Sequence, residues 1–153
     1  MRKTELQINL KSIKDNLNQI KNYTSAKIQA VVKAGAYGLN LNEVYNAISD
    51  DVESFAVITL KEAKALRQIT DKPILLFQGV HETKDYSDVE DLNLDFVIHS
   101  PWQFDGIEKF NLSNSRIWLK IETGMNRFGL HEQDFLKIYN SLNKEKFAEV
   151  ILM

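Results

Sequence analysis

Two stretches of this chain concentrate the residue types that could do chemistry. In Ala30-Val31-Val32-Lys33-Ala34-Gly35-Ala36-Tyr37-Gly38, an apolar run ends on a lysine, and a phenol comes four residues later. An amine whose stem lies among apolar neighbours gives up its proton more readily, because desolvation disfavours the ammonium form. Such a lysine is suited to condensing with a carbonyl, including that of pyridoxal phosphate. The competing reading is a lysine that snorkels from a strand end into solvent. Tyr37 could offer its hydroxyl to a phosphate, with Gly38 letting backbone come close; a packed loop aromatic is the alternative.

The second stretch is Lys120-Ile121-Glu122-Thr123-Gly124-Met125-Asn126-Arg127-Phe128-Gly129. Arg127, between two glycine-bearing turns, could present its planar fork to a carboxylate or a phenolate oxygen. Lys120 must point the opposite way from Leu119 and Ile121, either into a barrel or out against a helix. A surface ion pair of Glu122 with Arg127 around a tight turn competes with both readings and would be worth little. His81, His99 and His131 lack metal-ligand spacing and read as loop or helix-edge residues. Trp102 and Trp118 read as core or helix-packing residues. The chain carries no G-x-S-x-G, P-loop or H-E-x-x-H pattern.

The elements that must position these residues alternate in type. Glu5–Leu10 alternates with period two, which predicts a half-exposed strand. Leu10, Ile13, Leu17 and Ile20 then predict an amphipathic helix over 11–22. Lys27–Lys33 reads as a buried strand, and Asn40 with Glu43 as the start of the next helix, whose buried face is Leu41, Val44, Tyr45 and Ile48. Further strands are expected at Ser54–Ile58, Pro73–Gln78, Asp95–Ile98, Arg116–Ile121 and Glu149–Met153. Between them come a helix capped by Thr59 and Glu62, one over about 82–91, a helix-start pattern at Ser100-Pro101-Trp102-Gln103, and a helix over about 131–142.

Strands alternating with helices predict a parallel sheet with crossover helices. Near-continuous apolar strands fit burial on both faces. No G-x-G-x-x-G comes after the first core strand, which lowers a dinucleotide fold against a (β/α)8 barrel. The expected fold is therefore α/β, an incomplete barrel with about six of eight parallel strands. In such a barrel, Lys33 and the 120–129 loop both lie at the strand-to-loop face where active sites are built. Because the apolar run Val150–Met153 would leave an unblunted edge, the chain is expected to be one part, residues 1–153, of a longer barrel domain.

Composition narrows the class. The 153 residues are enough for one domain with a core, and 44% apolar with 26% charged content is ordinary for a globular protein. A net charge of −2 gives no reason to expect nucleic acid or an anionic membrane as partner. The absence of cysteine excludes disulfides and thiolate metal sites. No apolar run reaches the roughly 18 residues of a membrane span, and the first residues lack a signal-peptide core, so a cytoplasmic location is expected.

Taken together, the two stretches resemble the signatures of bacterial alanine racemases. Ala30–Gly38 resembles the attachment signature A-V-V-K-A-[ND]-A-Y-G-H-G, and Leu119–Gly129 resembles L-K-[VI]-D-T-G-M-x-R-[LI]-G. The pattern I-N-L-x-x-I-x-x-N-L over 8–17 is similar too. The resemblance implies a (β/α)8 barrel followed by a β-rich domain, a homodimer, and interconversion of L- and D-alanine with pyridoxal phosphate. D-alanine from such enzymes supplies peptidoglycan. It further implies that Lys33 holds the cofactor and acts as base on one face of the α-carbon. Tyr37 would bond the cofactor phosphate. Arg127 would contact the phenolic oxygen and the substrate carboxylate, and Lys120 matches a lysine that is carbamylated in many members and positions that arginine.

The sequence departs from the signatures at two places: Gly35 replaces Asn or Asp, and Leu39-Asn40 replace His-Gly. Both sit beside Lys33 and bear on loop shape and fine positioning, not on Lys33 or Tyr37 themselves. The family's [ST]-H-F, its β-rich domain and the second base, a tyrosine from the partner subunit, have no counterpart in these 153 residues. The chain alone is therefore expected not to racemise alanine. A racemase of another amino acid, and a non-catalytic remnant that binds pyridoxal phosphate, remain open on these residues.

Overall fold

Short apolar strands, each closed by a cap or a turn, leave little choice but a sheet whose faces are both covered. The computed structural model describes residues 3–153. Six parallel strands run in chain order: β1 (Gln29–Val31), β2 (Ser54–Val57), β3 (Ile74–Leu76), β4 (Asp95–Ile98), β5 (Arg116–Leu119) and β6 (Glu149–Leu152). Strands added one after another in a single direction are what a (β/α)8 barrel requires. Here β1 and β6 form the two edges, so the barrel is incomplete, as the pattern predicts.

The helices match the sequence closely. They are α1 (Leu10–Tyr23), the five-residue turn α2 (Lys33–Tyr37), α3 (Leu41–Ile48), α4 (Leu60–Arg67), α5 (Tyr86–Asp91) and α6 (Glu132–Ser141). Asn9 caps α1 by accepting from the Ser12 amide at 3.1 Å, and Asn40 caps α3 by accepting from the Asn42 amide at 3.1 Å. At α4 the predicted capping box is complete: Thr59 accepts from the Glu62 amide at 3.2 Å, and Glu62 accepts from the Thr59 amide at 3.0 Å.

Strand parity divides the core in two. Phe55, Val57, Ile74, Leu76, Phe96, Ile98, Ile117 and Leu119 pack with Val44, Ala63, Leu66, Val89 and Ile138 from the helices. The opposite face buries Ala56, Leu75 and Val97, with Phe77 and Trp118 against them. At the N-terminal end of this inner face, Arg116 forks onto Asp95, with Nε and Nη2 at 2.8 and 2.6 Å from Oδ2. The Arg116 amide supplies a third bond, to Oδ1 at 2.8 Å. A carboxylate buried this deeply is tolerable only when so satisfied.

Two expectations are corrected. Glu5–Leu10 is not a strand: residues 3–9 carry no regular structure, and Leu6 is 71% exposed. Its alternation finds no neighbouring strand to pair with, and an isolated strand leaves its backbone bonds to water. The Ser100-Pro101-Trp102-Gln103 pattern yields only the single 3-10 turn Pro101–Phe104, and the Ser100 side chain makes no cap bond. Gln103 is instead buried and spent on tertiary bonds. Its Oε1 accepts from the His99 amide at 2.9 Å, and its Nε2 donates to the carbonyls of Gln78 and Val80 at 3.1 and 2.9 Å. Those bonds compete with helix formation.

Candidate functional site

Lys33 stands two residues beyond the end of β1, whose last residue, Val31, pairs in register with Ala56. The backbone immediately after it is unusual. Ala34, Gly35, Ala36 and Tyr37 have φ of 51°, 62°, 56° and 58°, and Gly38 continues at 82°. This is a left-handed helical turn, closed by Ala36 N–H to Val32 C=O and Gly38 N–H to Ala34 C=O, both 2.9 Å. A left-handed conformation costs an L-residue roughly 1–2 kcal/mol, so three non-glycine residues here must be held by their surroundings. Two holds are visible. Ala36 is buried in the helix-side core, and the Ala34 amide donates to Glu62 Oε1 at 2.7 Å.

The turn reverses the chain so that Tyr37 comes back over Lys33. The Lys33 ammonium lies 5.7 Å from the centre of the Tyr37 ring, within reach of a cation–π contact. The tyrosine itself is exposed, which disposes of the packed-aromatic reading. Lys33 is half-buried.

The second stretch sits at the C-terminal end of β5. Lys120 shares the inner-face parity of Trp118, and its amine lies 5.5 Å from the Phe77 ring centre. Of the two directions open to it, the inward one is realised. Beyond it the chain leaves as a loop pinched at its base: Leu130 N–H donates to Lys120 C=O at 2.7 Å, and Glu122 N–H to Leu130 C=O at 2.9 Å. A Cβ on Gly129 would stand 2.7 Å from the Glu122 nitrogen, so only glycine lets the two limbs close.

Glu122 does not pair with Arg127 as the surface reading would have it. Its carboxylate accepts from backbone amides of its own loop, chiefly Asn126 and Gly124, and these bonds hold it below the usual carboxylate range. Arg127 is thereby left exposed, with no acidic partner among the described residues. It lines a cleft of about 320 Å³ with His99, Trp102, Phe128 and His131. Trp102 is therefore a cleft residue, 41% exposed, whereas Trp118 packs inside as expected.

His99 lies at the end of β4 between these groups. Its Nε2 is 3.0 Å from the Gln78 carbonyl, and its ring is 4.6 Å from that of Phe128. Burial pushes its pKa down; the Gln78 carbonyl opposes this, while the positive charges of Lys120 and His81 add to it. The imidazole is accordingly held neutral. Nothing in the sequence around His99 signalled this, because its neighbours come from three other segments.

The structure thus brings Lys33 together with Tyr37, and Lys120 together with the Arg127 loop. The two pairs stand at β1 and β5 with three strands between them. All lie at the C-terminal ends of strands, the end at which barrel folds build their sites.

Comparison with known proteins bears on what that end is for. Residues 8–153 match the model of the alanine racemase N-terminal domain. The chain belongs to that family. Over its whole length it is 35% identical to an alanine racemase of Pseudomonas taetrolens and covers 44% of that protein. An alanine racemase of Wigglesworthia glossinidia brevipalpis is 33% identical over 99% of the chain, which covers 43% of that relative. Among solved structures, the biosynthetic alanine racemase from Pseudomonas aeruginosa superposes with a TM-score of 0.86 at 31% identity, over 94% of this chain and 41% of the other. The Corynebacterium glutamicum alanine racemase gives 0.81 at 27% identity, over 94% and 44%. The chain therefore spans less than half the length of the alanine racemases it matches.

Membership in the alanine racemase family gives the Gly35 departure a physical meaning. The family signature has Asn or Asp there, and these are the side chains that best tolerate left-handed backbone. Gly35 sits at φ 62° with nothing within 4 Å of where a Cβ would be. Glycine at this position takes up the left-handed conformation without a steric penalty. Asn40, in place of a family glycine, likewise holds a positive φ of 68° and adds a helix cap.

Proposed function

We propose that the parent protein is a pyridoxal-phosphate-dependent alanine racemase and that this chain carries the cofactor-attachment half of its site. The observation that carries the reading is Lys33 itself: a half-buried lysine just past the end of β1, followed by a left-handed turn that returns the Tyr37 ring to 5.7 Å from its amine. The donor set suits the cofactor. Lys33 offers an amine to an aldehyde, Tyr37 a phenol to a phosphate, and the exposed Arg127 a planar fork to a phenolate or carboxylate. Lys120 stands at the root of the arginine's loop and is the residue to position it.

When bound, the cofactor withdraws electrons from the α-carbon of an amino acid, so that the proton there can be removed. This chain's part is then acid–base work and orientation. Lys33 would take or return that proton on one face. Arg127 would bind the substrate carboxylate and so help to orient it. Neutral His99 packs the Phe128 ring beneath the loop and adds no competing charge. Inversion needs a second group on the opposite face. In the family resembled, that group is a tyrosine of the partner subunit, which makes the working unit a homodimer. Such an enzyme works in the cytoplasm and supplies D-alanine to peptidoglycan. Among the described residues, no helix is long and apolar enough to cross a membrane.

The test is to incubate the chain with pyridoxal phosphate, fix the adduct with borohydride, and map the labelled peptide. Label concentrated on Lys33, and lost in Lys33→Ala, is the expected result. Label spread over the surface lysines overturns the assignment.

A further inference from the structure

Glu62 does more than a helix cap requires. Its Oε2 accepts from the amides of Ile58 and Thr59 at 3.1 and 3.0 Å, which completes the cap of α4. Its Oε1 is free of that duty and accepts from the amide of Ala34 at 2.7 Å, 28 residues away in sequence. Ala34 is the residue after Lys33 and the first of the left-handed run. One carboxylate therefore joins the end of β1 to the start of α4.

We propose that Glu62 is a positioning residue for Lys33, acting through the Ala34 amide; this rests on the reading of Lys33 as the attachment lysine. The left-handed turn does not stand on its own local preference, because Ala34, Ala36 and Tyr37 all resist positive φ. Burial of Ala36 anchors its middle, but its entry has the Glu62 bond. The peptide that Glu62 grips is the one joining Lys33 to Ala34. Fixing that plane fixes ψ of Lys33, and the direction in which its side chain leaves the strand end. The carboxylate suits this role. Burial would raise its pKa, yet the three backbone donors outweigh this and keep it ionised. Charge-assisted bonds to backbone amides are among the stronger ones available.

The geometry permits a clean separation of cap from clip. In Glu62→Gln one acceptor oxygen remains and is best used against the two donors at Ile58 and Thr59. The new NH2 group then faces the Ala34 N–H, donor against donor. In Thr59→Ala the reciprocal half of the cap is lost, but the carboxylate and its bond to Ala34 stay. Two quantities are measured on the 153-residue chain. One is hydrogen exchange of the Ala34 amide without cofactor. The other is the share of borohydride-fixed pyridoxal phosphate found on Lys33, where amine and aldehyde condense with loss of water and hydride reduces the C=N bond.

The expected result in Glu62→Gln is Ala34 exchange faster by about tenfold and a Lys33 share lower by about tenfold, with a fall in Tm no larger than that of Thr59→Ala. Thr59→Ala should lower Tm while both readouts stay within about twofold of wild type. Unchanged Ala34 exchange in Glu62→Gln overturns the proposal, as does a loss of Lys33 label that tracks Tm equally in both variants. Should Glu62→Gln fail to fold, Glu62→Asp, a methylene too short to reach Ala34, must reproduce the faster exchange. A wild-type chain that labels elsewhere defeats the attachment reading instead, and Ala34 exchange then decides the Glu62 contact by itself.

Discussion

At the residue scale, the left-handed turn after Lys33 makes demands that ordinary side chains resist. Gly35 meets them with φ at 62° and open space around its missing Cβ. Gly35→Asn should therefore cost less than about 1 kcal/mol, and Gly35→Val about 2 kcal/mol more, since a β-branched residue is the worst fit to positive φ. Urea unfolding of the two variants checks this, and equal losses would remove the conformational explanation. Arg127 is the contrasting case. It is exposed and carries no acidic partner among the described residues, so Arg127→Ala should change stability by less than about 0.5 kcal/mol. A residue kept for the fold would cost more; one kept for a ligand should not.

At the scale of elements, two contacts bear measurable weight. The capping box of α4 predicts a loss of about 1 kcal/mol in Thr59→Ala, read from the urea midpoint at unchanged slope. The Arg116–Asp95 pair ties β5 to β4 at the N-terminal end of the strands, with the Asp95 side chain 5% exposed. Arg116→Ala strands that carboxylate without its cation and should cost about 3 kcal/mol. Replacing both partners, Asp95→Asn with Arg116→Met, should cost clearly less than the single change. A double variant as unstable as Arg116→Ala would mean that packing of the arginine stem, not charge, is what matters.

At the scale of the whole molecule, acid acts on the candidate site and on stability together. His99 has its folded pKa below its ordinary 6.5, so the stability tied to the neutral ring is present above pH 6.5 and is lost as pH falls through the lowered value. Glu62 lies below its ordinary 4.5 and behaves alike in a lower window, losing its contribution as pH falls beneath 4.5 through the folded pKa. Unfolding free energy should thus decline in two steps from neutral pH. His99→Gln should remove the first and Glu62→Gln should diminish the second, which Glu122 and Asp51 share, as denaturant titrations at a series of pH values would register. Helix periods, caps and strand parity were legible along the chain because they rest on contacts within about four residues or on strict alternation. That is why α1, α3, α4 and β4 fall where the pattern puts them and why Lys33 and Lys120 could be assigned to strand ends. The two signature stretches could likewise be read directly, since residue type and order suffice to recognise them. Alternation alone misled at Glu5–Leu10, where no neighbouring strand completes the ladder. Only the tertiary structure decided that Lys120 points inward onto Phe77, that Glu122 serves its own loop rather than Arg127, and that Glu62 reaches Ala34. The contacts of Lys120 with Phe77 and of Glu62 with Ala34 depend on partners brought close by the sheet, and that of Glu122 on a loop closed by the Leu130 backbone bonds. The handedness of the turn after Lys33 is the clearest instance, for local preference opposes it, and burial of Ala36 and a distant carboxylate prevail.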